Sequence, residues 1–456
     1  MKPIFKEEKE FLEEKLNIKL PSNLWRDGSK IYVNSDKNDL VLSFKAELNK
    51  IKISKNNLIS YDDNTVNLNK KGMIKNYTFE TEYEQKKEYL NDLVESSINK
   101  TIEFINTHQD YEQRISISGG KDSDLLLWII KKTYKKMDKD FYKHVKIDVF
   151  NTSNDTADTY KHIKHTLGIK LADIHNPPKG WYKWLKEDKN FFLPSVTVRN
   201  CCSTYKEGQV KKVLDKNKKY LTFMGMRKYE STKRAEYEFD LNESILKIGK
   251  MKLNVPENWL RILPIVDFKD EDVWLILLHE NIPFNKMYFY GYNRCGCLIC
   301  PFASDYTDML TRKYYPTLMS KWEYACEMNY INCNVEKRLK WTLEEWKLGK
   351  WKQGMSKENE ILKLKKTKDR IKELSEVKGI SEKLAEKYWD KNICNCGKKL
   401  NPDEIAMNLK LFGRMENVED IRQFKCKNCL CEYMGWNKNT YKEQMMKFRN
   451  DGCELF

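Results

Sequence analysis

Residues Ser118-Gly119-Gly120-Lys121-Asp122-Ser123 are of the types that hold a phosphate, and their neighbours put them where one would be held. Arg114-Ile115-Ser116-Ile117-Ser118 leads into them as a strand-like run, and Leu125 to Ile130 follows as an apolar helical stretch. Gly119 and Gly120 allow a tight turn and a close approach to a ligand. Exposed amides at the helix start, with the helix dipole, favour an anion such as pyrophosphate. Lys121 adds a mobile positive charge, Ser118 and Ser123 add hydroxyls, and Asp122 is placed either to help hold Mg²⁺ or to orient the loop. The spacing differs from the Gly-x-x-x-x-Gly-Lys-Ser/Thr loop of common NTPases. Further along, Arg227 and Arg234 suit phosphate or sulfate, because guanidinium forks form paired charge-assisted bonds.

The second chemistry is that of sulfur. Thirteen cysteines are many for a reducing compartment, where disulfides are rare. They cluster as Cys201 and Cys202; Cys295, Cys297 and Cys300; Cys394 and Cys396; and Cys426, Cys429 and Cys431, while Cys326, Cys333 and Cys453 stand apart. Clusters of this kind point to metal, here to two sites. Cys394-Asn395-Cys396-Gly397 and Cys426-Lys427-Asn428-Cys429 bracket roughly thirty residues, as in a zinc ribbon. Two close pairs supply tetrahedral thiolates to Zn²⁺. The first pair has one intervening residue rather than two, and Cys431 is an alternative ligand. So small a module has too little core to fold comfortably without metal.

These residues need elements to position them. Residues 109–310 alternate strand-like segments (Val145–Phe150, Tyr220–Gly225) with helical ones (Ala157–Leu167), which predicts a parallel sheet with right-handed crossovers. Ligands of such sheets sit beyond the carboxyl ends of the strands. Residues 1–108 are expected to form a small accessory region. It holds short strands around Lys30–Val33 and Asp39–Phe44, then a helix over Glu82–His108. Residues 311–390 are expected to be helical and 391–456 to be the zinc-ribbon-like module. Within the helical part, Leu374 to Ala385 resembles a helix-hairpin-helix element, which presents amides to a nucleic-acid phosphate. Ser381 replaces that element's second glycine, and an ordinary helical hairpin fits as well.

Over roughly 110–303 the sequence resembles the adenine-nucleotide α-hydrolase, or PP-loop, superfamily, and most closely its phosphoadenosine phosphosulfate (PAPS) reductase branch. Besides the loop, Asn151-Thr152 with Asp155-Thr156 stands where that branch has a nucleotide-contacting loop. Gly225-Met226-Arg227 through Arg234-Ala235 resembles its Gly-x-Arg-x-x-x-Ser-x-x-Arg segment. Leu263–Phe268 with Asp272-Val273-Trp274 resembles its next strand and helix. Asn285 to Gly291-Tyr292 and Gly296-Cys297 resemble the approach to its last cysteine pair. The implied fold is α/β, a Rossmann-like parallel sheet of PP-loop type. The implied nucleotide contacts are Ser118, Gly119, Gly120, Lys121, Asp122, Ser123, Asn151, Thr152 and Gly225. Lys121, Asp122, Arg227 and Arg234 are implied in catalysis. Cys201-Cys202, near Lys206, with Cys297 and Cys300 look like the ligands of the branch's iron–sulfur members. Four thiolates match a [4Fe–4S] cluster. Zinc is the competing metal, and Cys295 is an extra candidate ligand.

The sequence departs from reductases in two ways. Their loop is usually degraded, whereas Lys121, Asp122 and Ser123 are all present here. Their nucleophilic cysteine lies in a Glu-Cys-Gly tail, whereas this sequence ends Asp451-Gly452-Cys453-Glu454-Leu455-Phe456. The departures favour cleavage of ATP, with Mg²⁺, to AMP and pyrophosphate, activating an acceptor for iron–sulfur-assisted sulfur transfer. Reduction of PAPS or its unphosphorylated analogue to sulfite is the alternative enzyme reading. A non-enzymatic nucleic-acid-binding protein is the alternative of another class.

The composition sets the remaining bounds. In 456 residues, 40% hydrophobic residues exclude a disordered chain, and a net charge of +16 suggests DNA or RNA as partners. No run approaches the ~20 apolar residues of a membrane span. The first residues lack the apolar core of a secretion signal, so a soluble cytoplasmic protein is expected. A thiol or sulfur-donor protein is a further expected partner.

Overall fold

The structure is a computed structural model. It describes residues 1–196, 198–215, 217–242 and 258–354, and in the C-terminal part 371–372, 375–376, 381–382, 394, 396–398, 400–412 and 424–450. The chain forms two compact units, Met1–Gly354 and Met355–Phe456.

The first unit begins with antiparallel sheet. Strands β1 (Lys2–Pro3), β2 (Trp25–Asp27), β3 (Lys30–Tyr32), β4 (Leu40–Glu47) and β5 (Lys50–Asn56) pair in chain order. β6 (Leu58–Tyr61), β7 (Thr65–Leu68) and β8 (Gly72–Lys75) form a second, three-stranded sheet. Helix α1 (Lys6–Leu16) buries Phe11, Leu12 and Leu16, one face of a helix, against them. Their core also takes in Met287, Tyr292, Leu298, Tyr306 and Leu310, from the other end of the unit.

A buried ion cluster joins the same two ends. Glu8 takes Lys2 and Arg26 on its two carboxylate oxygens, and all three side chains are at most 2% exposed. Arg26 also donates to the carbonyl of Gly291 (2.6 Å), and Tyr306 donates its hydroxyl to Glu8 (3.2 Å). Gly291 has φ +105, and a Cβ there would lie 3.0 Å from the Glu8 carboxyl group, so both conformation and space require glycine.

Helix α2 (Phe79–Thr107) is capped by Thr78 and leads to the central sheet. Its strands are β9 (Glu112–Ser116), β10 (Val145–Phe150), β11 (Ile174–His175), β12 (Tyr220–Phe223) and β13 (Trp259–Ile262), all parallel in the order β11-β10-β9-β12-β13. The α/β parallel-sheet expectation therefore holds. The chain builds outward from β9 on one side and then returns to its other side, so the topological switch lies between β9 and β12. Helix α3 (Lys121–Lys136) follows β9, and its Leu126, Leu127 and Ile130 pack on Ile115, Leu221 and Phe223 of the sheet.

Two expectations shift locally. The strand expected over Leu263–Phe268 lies earlier, at Trp259–Ile262, and Pro264–Asp267 is a turn, since Pro264 has no N–H for a ladder. The helix expected over Ala157–Leu167 is α-helical only to Lys161 and continues as a π turn, His162–Thr166. In the second unit, helices Pro402–Phe412, Lys427–Met434 and Lys438–Asn450 are described. Most of the helix-hairpin-helix segment falls outside the described residues, and Cys453 does so too. No helix among the described residues is long and apolar enough to cross a membrane.

Candidate active site

The loop Ser118–Ser123 leaves the carboxyl end of β9 at the switch point and enters α3. Gly119 has φ +72, and a Cβ would meet Ile163 and Thr159 at 3.1–3.2 Å, so the turn is seated on the helix that follows β10. Asn285 donates to the Gly119 carbonyl (3.1 Å), and the Tyr288 hydroxyl accepts the Lys121 amide (2.9 Å). Ser123 folds its hydroxyl back on Gly120, accepting from its N–H (3.2 Å) and donating to its carbonyl (2.8 Å). On the β12 side, Gly225 lies flat against the loop, and a Cβ would stand 3.0 Å from the Asp122 carbonyl oxygen.

Four charges gather beside the loop. The Lys121 ammonium, 5% exposed, lies 2.9 Å from Asp122 and 3.2 Å from Asp270. The Arg227 guanidinium, 1% exposed, bonds Asp122 (2.7 Å), Asp270 (2.6 Å) and the Phe268 carbonyl (3.1 Å). Burial pushes the Asp270 carboxyl up, but Lys121, the Met1 amino group and Arg227 outweigh it and hold the group far below the usual carboxylate range. Arg234 pairs with Glu230 and sits close enough to Asp122, Arg227 and Arg294 to feel their charges. The loop, Gly225, Arg227 and Arg234 thus come together. Asp270, Asn285 and Tyr288 join them without having been singled out for this role. Asp270 is merely an acid in a helix's first turn, a common position, and only its proximity to Lys121 distinguishes it.

Beneath the loop, Asp124 takes Nε2 of His162 at 3.0 Å on one oxygen and leaves the other buried without a partner. Burial pushes its carboxyl up to about 6, against the pull of His162.

Asn151 and Thr152 follow β10, and Thr152 meets the cysteines. Asn151 bonds Asn176 and Tyr160, and the Thr152 hydroxyl donates to Asp155 (2.6 Å) with the Cys297 Sγ 3.7 Å away. Asn154 clips the Leu298 and Ile299 backbone to this loop through its carbonyl and side chain. Cys201, Cys202, Cys297 and Cys300 feel one another's charge. Burial and then those neighbours push the Cys201 thiol up to about 12. The Lys206 ammonium is held charged chiefly by Cys297, then by Cys202, Asp155 and Cys300. Cys295 points elsewhere, to Tyr288 and the nucleotide loop, and burial pushes its thiol well up. The two half-sites share the segment from Asn285 to Cys300.

In the second unit, the sulfurs of Cys394, Cys396, Cys426 and Cys429 lie within 4.8 Å of one another, with Cys396 and Cys426 at 3.6 Å. The Cys394 carbonyl accepts the Gly397 amide in a tight knuckle, where Gly397 takes φ +81. Amide and thiol donors, the Lys398 amide foremost, bring Cys396 down to about 7. Cys431 is instead buried in an apolar cluster with Met407, Leu430 and Tyr441. Among the described residues, the four central thiols do not gather this tightly.

The parallel sheet with a glycine–lysine loop at its switch point is an α/β fold of the PP-loop, adenine-nucleotide α-hydrolase type. More particularly, residues 112–303 match the family model of the phosphoadenosine phosphosulfate reductase domain. An uncharacterised protein of Methanocaldococcus jannaschii is 26% identical over 260 residues, covering 55% of this chain and 58% of that protein. A second from the same archaeon is 30% identical over 237 residues, covering 51% and 45%. The chain thus spans about half the length of these relatives. The adenosine 5'-phosphosulfate reductase of Neisseria meningitidis serogroup B is 30% identical over 110 residues, 24% of this chain and 39% of that enzyme. Among solved structures, a PAPS reductase from Candida auris covers 46% of this chain and 94% of its own at 13% identity, with a TM-score of 0.33. The U34-tRNA thiolase NcsA from Methanococcus maripaludis, solved with its [4Fe-4S] cluster, covers 63% and 82% at 14% identity, with a TM-score of 0.31. Superpositions this loose place no residue of either protein on a residue of this chain.

Proposed function

We propose that the chain binds ATP at Ser118–Ser123 and cleaves it to AMP and pyrophosphate, adenylating an acceptor that then receives sulfur. The observation that carries this reading is the complete loop, with Lys121 buried between Asp122 and Asp270 at the start of α3. An acceptor oxygen bonds to the α phosphorus while the α–β bridging bond breaks, its electron pair leaving on pyrophosphate. Lys121 stands where that charge develops, and a preorganised cation there lowers the barrier. Arg227 fixes the two carboxylates, bonding Asp122 and Asp270 through one N–H each and the Phe268 carbonyl through a third. Asp122 and Asp270 offer the hard oxygen donors that suit Mg²⁺ and would hold it. When bound, the ion neutralises the leaving group further.

At the centre, Cys201, Cys202, Cys297 and Cys300 are a donor set suited to a [4Fe–4S] cluster, which supplies a place for sulfur or electrons when bound. A single tetrahedral zinc would draw four sulfurs to within about 4 Å, given Zn–S bonds of ~2.3 Å. That spacing suits the C-terminal four, to which we assign a structural Zn²⁺. The chain's excess of 83 basic over 67 acidic residues supports DNA or RNA as the acceptor, with a thiol or sulfur-donor protein supplying the sulfur.

Sulfonucleotide reduction is the second reading, favoured by the named reductase relatives. Anaerobically purified protein with its metals measured separates the two. Pyrophosphate and AMP from Mg-ATP support the first, and sulfite from PAPS or its unphosphorylated analogue with a dithiol supports the second. Neither product, with tight DNA or RNA binding, would overturn both in favour of a nucleic-acid-binding protein.

A further inference from the structure

A cavity of about 170 Å³ lies against the Cys297–Cys300 turn, outside the nucleotide loop. Trp181 and Tyr182 line it from the helix Trp181–Glu187, and Leu318 and Trp322 from the helix Pro316–Asn332. Leu298 and Ile299 line it from the cysteine turn, and Ser153, Asn154 and Asp155 from the loop after β10. The Trp181 and Trp322 rings are 5.7 Å apart and buried, so this aromatic wall is fixed in place. Asp155 brings a carboxylate, held at 2.6 Å by the Thr152 hydroxyl that also meets Cys297. One hydroxyl therefore separates the cavity's acceptor group from the cysteine centre. Lys321, also on the lining, is exposed.

Size and chemistry narrow the occupant. Pockets for whole small ligands start near ~300 Å³, so this one admits a single ring system and not a nucleotide. None of the residues Ser118–Ser123 lines it, so it is no part of the ATP loop. Aromatic walls, the half-buried Asp155 carboxylate as an acceptor and a cation at the edge match a flat base with ring N–H groups and a phosphate behind it. Chemistry on a base requires it to leave its stack and enter such a pocket. We propose that the cavity receives one base turned out of a nucleic-acid strand, placing the acceptor beside Cys297. This rests on the reading of the chain as a sulfur-transfer enzyme acting on nucleic acid.

Leu318→Trp tests it. Leu318 is 39% exposed, so a larger ring there fills the mouth without entering the core. With the loop saturated by a non-hydrolysable ATP analogue, the four ribonucleoside 5'-monophosphates are titrated by calorimetry, with ribose 5-phosphate as the base-free control. The expected result is binding of at least one monophosphate, none of ribose 5-phosphate, and at least a tenfold loss in Leu318→Trp at an unchanged thermal unfolding midpoint. Asp155→Asn, which exchanges one acceptor for a donor, should alter which base binds best. No monophosphate binding, equal binding of ribose 5-phosphate, or undiminished binding by Leu318→Trp would each overturn the proposal. Pyrophosphate release from Mg-ATP, measured on the same wild-type sample, tests the underlying reading separately. If release is absent but base binding is lost in Leu318→Trp, the reaction assignment fails and the pocket stands.

Discussion

Gly225→Ala is the perturbation that reads the nucleotide loop most directly. The added Cβ would stand 3.0 Å from the Asp122 carbonyl oxygen, 3.2 Å from its carbonyl carbon and 3.4 Å from the Ser123 nitrogen. All three are backbone atoms, so no side chain can rotate away. Ordinary contact begins near 3.4 Å, which leaves the loop to move by about 0.4 Å. A misplacement of ~1 Å at a reacting centre costs about 100-fold, or roughly 2.7 kcal/mol. Scaled to 0.4 Å, the loss is about 1 kcal/mol, or roughly sixfold in turnover. Gly225→Val adds two further methyl groups against the same backbone and should bring the loss to about 100-fold. The assay is pyrophosphate release at saturating Mg-ATP, beside ATP affinity and thermal unfolding. Stability should fall only modestly, by about 1–3 kcal/mol for an overpacked contact. Wild-type turnover in Gly225→Val would refute the reasoning, because the loop would then not be held where β12 places it.

Four more outcomes are expected. Lys121→Ala should cut pyrophosphate release by roughly 10²–10³-fold, and a loss under tenfold would remove Lys121 from the leaving-group site. Glu8→Gln leaves Lys2 and Arg26 buried without their counter-charge and should cost about 3–5 kcal/mol in urea unfolding; a cost below ~1 kcal/mol would mean that the cluster is hydrated. Cys396→Ser with Cys429→Ser should lower metal content by about one ion per chain, measured by elemental analysis, and lose helical signal from the second unit. Unchanged metal content would dismiss the assignment. Burial, with Asp305 adding and Lys352 opposing, pushes the Asp308 carboxyl up to about 6, above its unfolded value near ~3.9. The folded state therefore holds this proton more tightly, and the site's stabilising contribution is lost as pH rises from about 4 through 6. Asp308→Asn should remove that part of the pH dependence, and an unchanged difference in urea midpoint between pH 5 and 7.5 would show that Asp308 does not titrate there.

Where local pattern and tertiary demand agree, the sequence was readable. The apolar run Val145–Phe150 is β10 from end to end, since a buried parallel strand needs no more than a short apolar stretch between turns. The strand before the loop begins and ends two residues earlier than expected, at Glu112–Ser116, because Ile117 and Ser118 already belong to the turn. The π turn at His162 had no local signature. It coincides with His162 reaching Asp124 and with Ile163 supporting Gly119, both long-range demands. The Ser118–Ser123 turn at the start of α3 and the gathering of the C-terminal thiols were legible because residues close in sequence carry them. Asp270, Asn285 and Tyr288 were not, because each acquires its role from residues more than 140 positions away. The assignment of Arg227 to phosphate or sulfate rested on guanidinium chemistry and on the Gly-x-Arg resemblance, and neither signals the two carboxylates that the side chain also meets.

The Glu8 cluster bears on how the molecule is made. Arg26 closes on Gly291 across 265 residues, and Tyr306 on Glu8 across 298. Contacts of such sequence separation form late and slow the search for the native state. During synthesis the N-terminal strands emerge long before the residues that complete their core, so Ile31, Val41 and Leu42 wait unburied. Exposed edges and apolar faces are then open to association. Tyr306 joins the N-terminal core beside Leu298, so the sheet and the segment bearing Cys295, Cys297 and Cys300 share one set of contacts. The segment bearing Cys295, Cys297 and Cys300 is thereby anchored to the N-terminal sheet, and its placement depends on contacts that span most of the first unit.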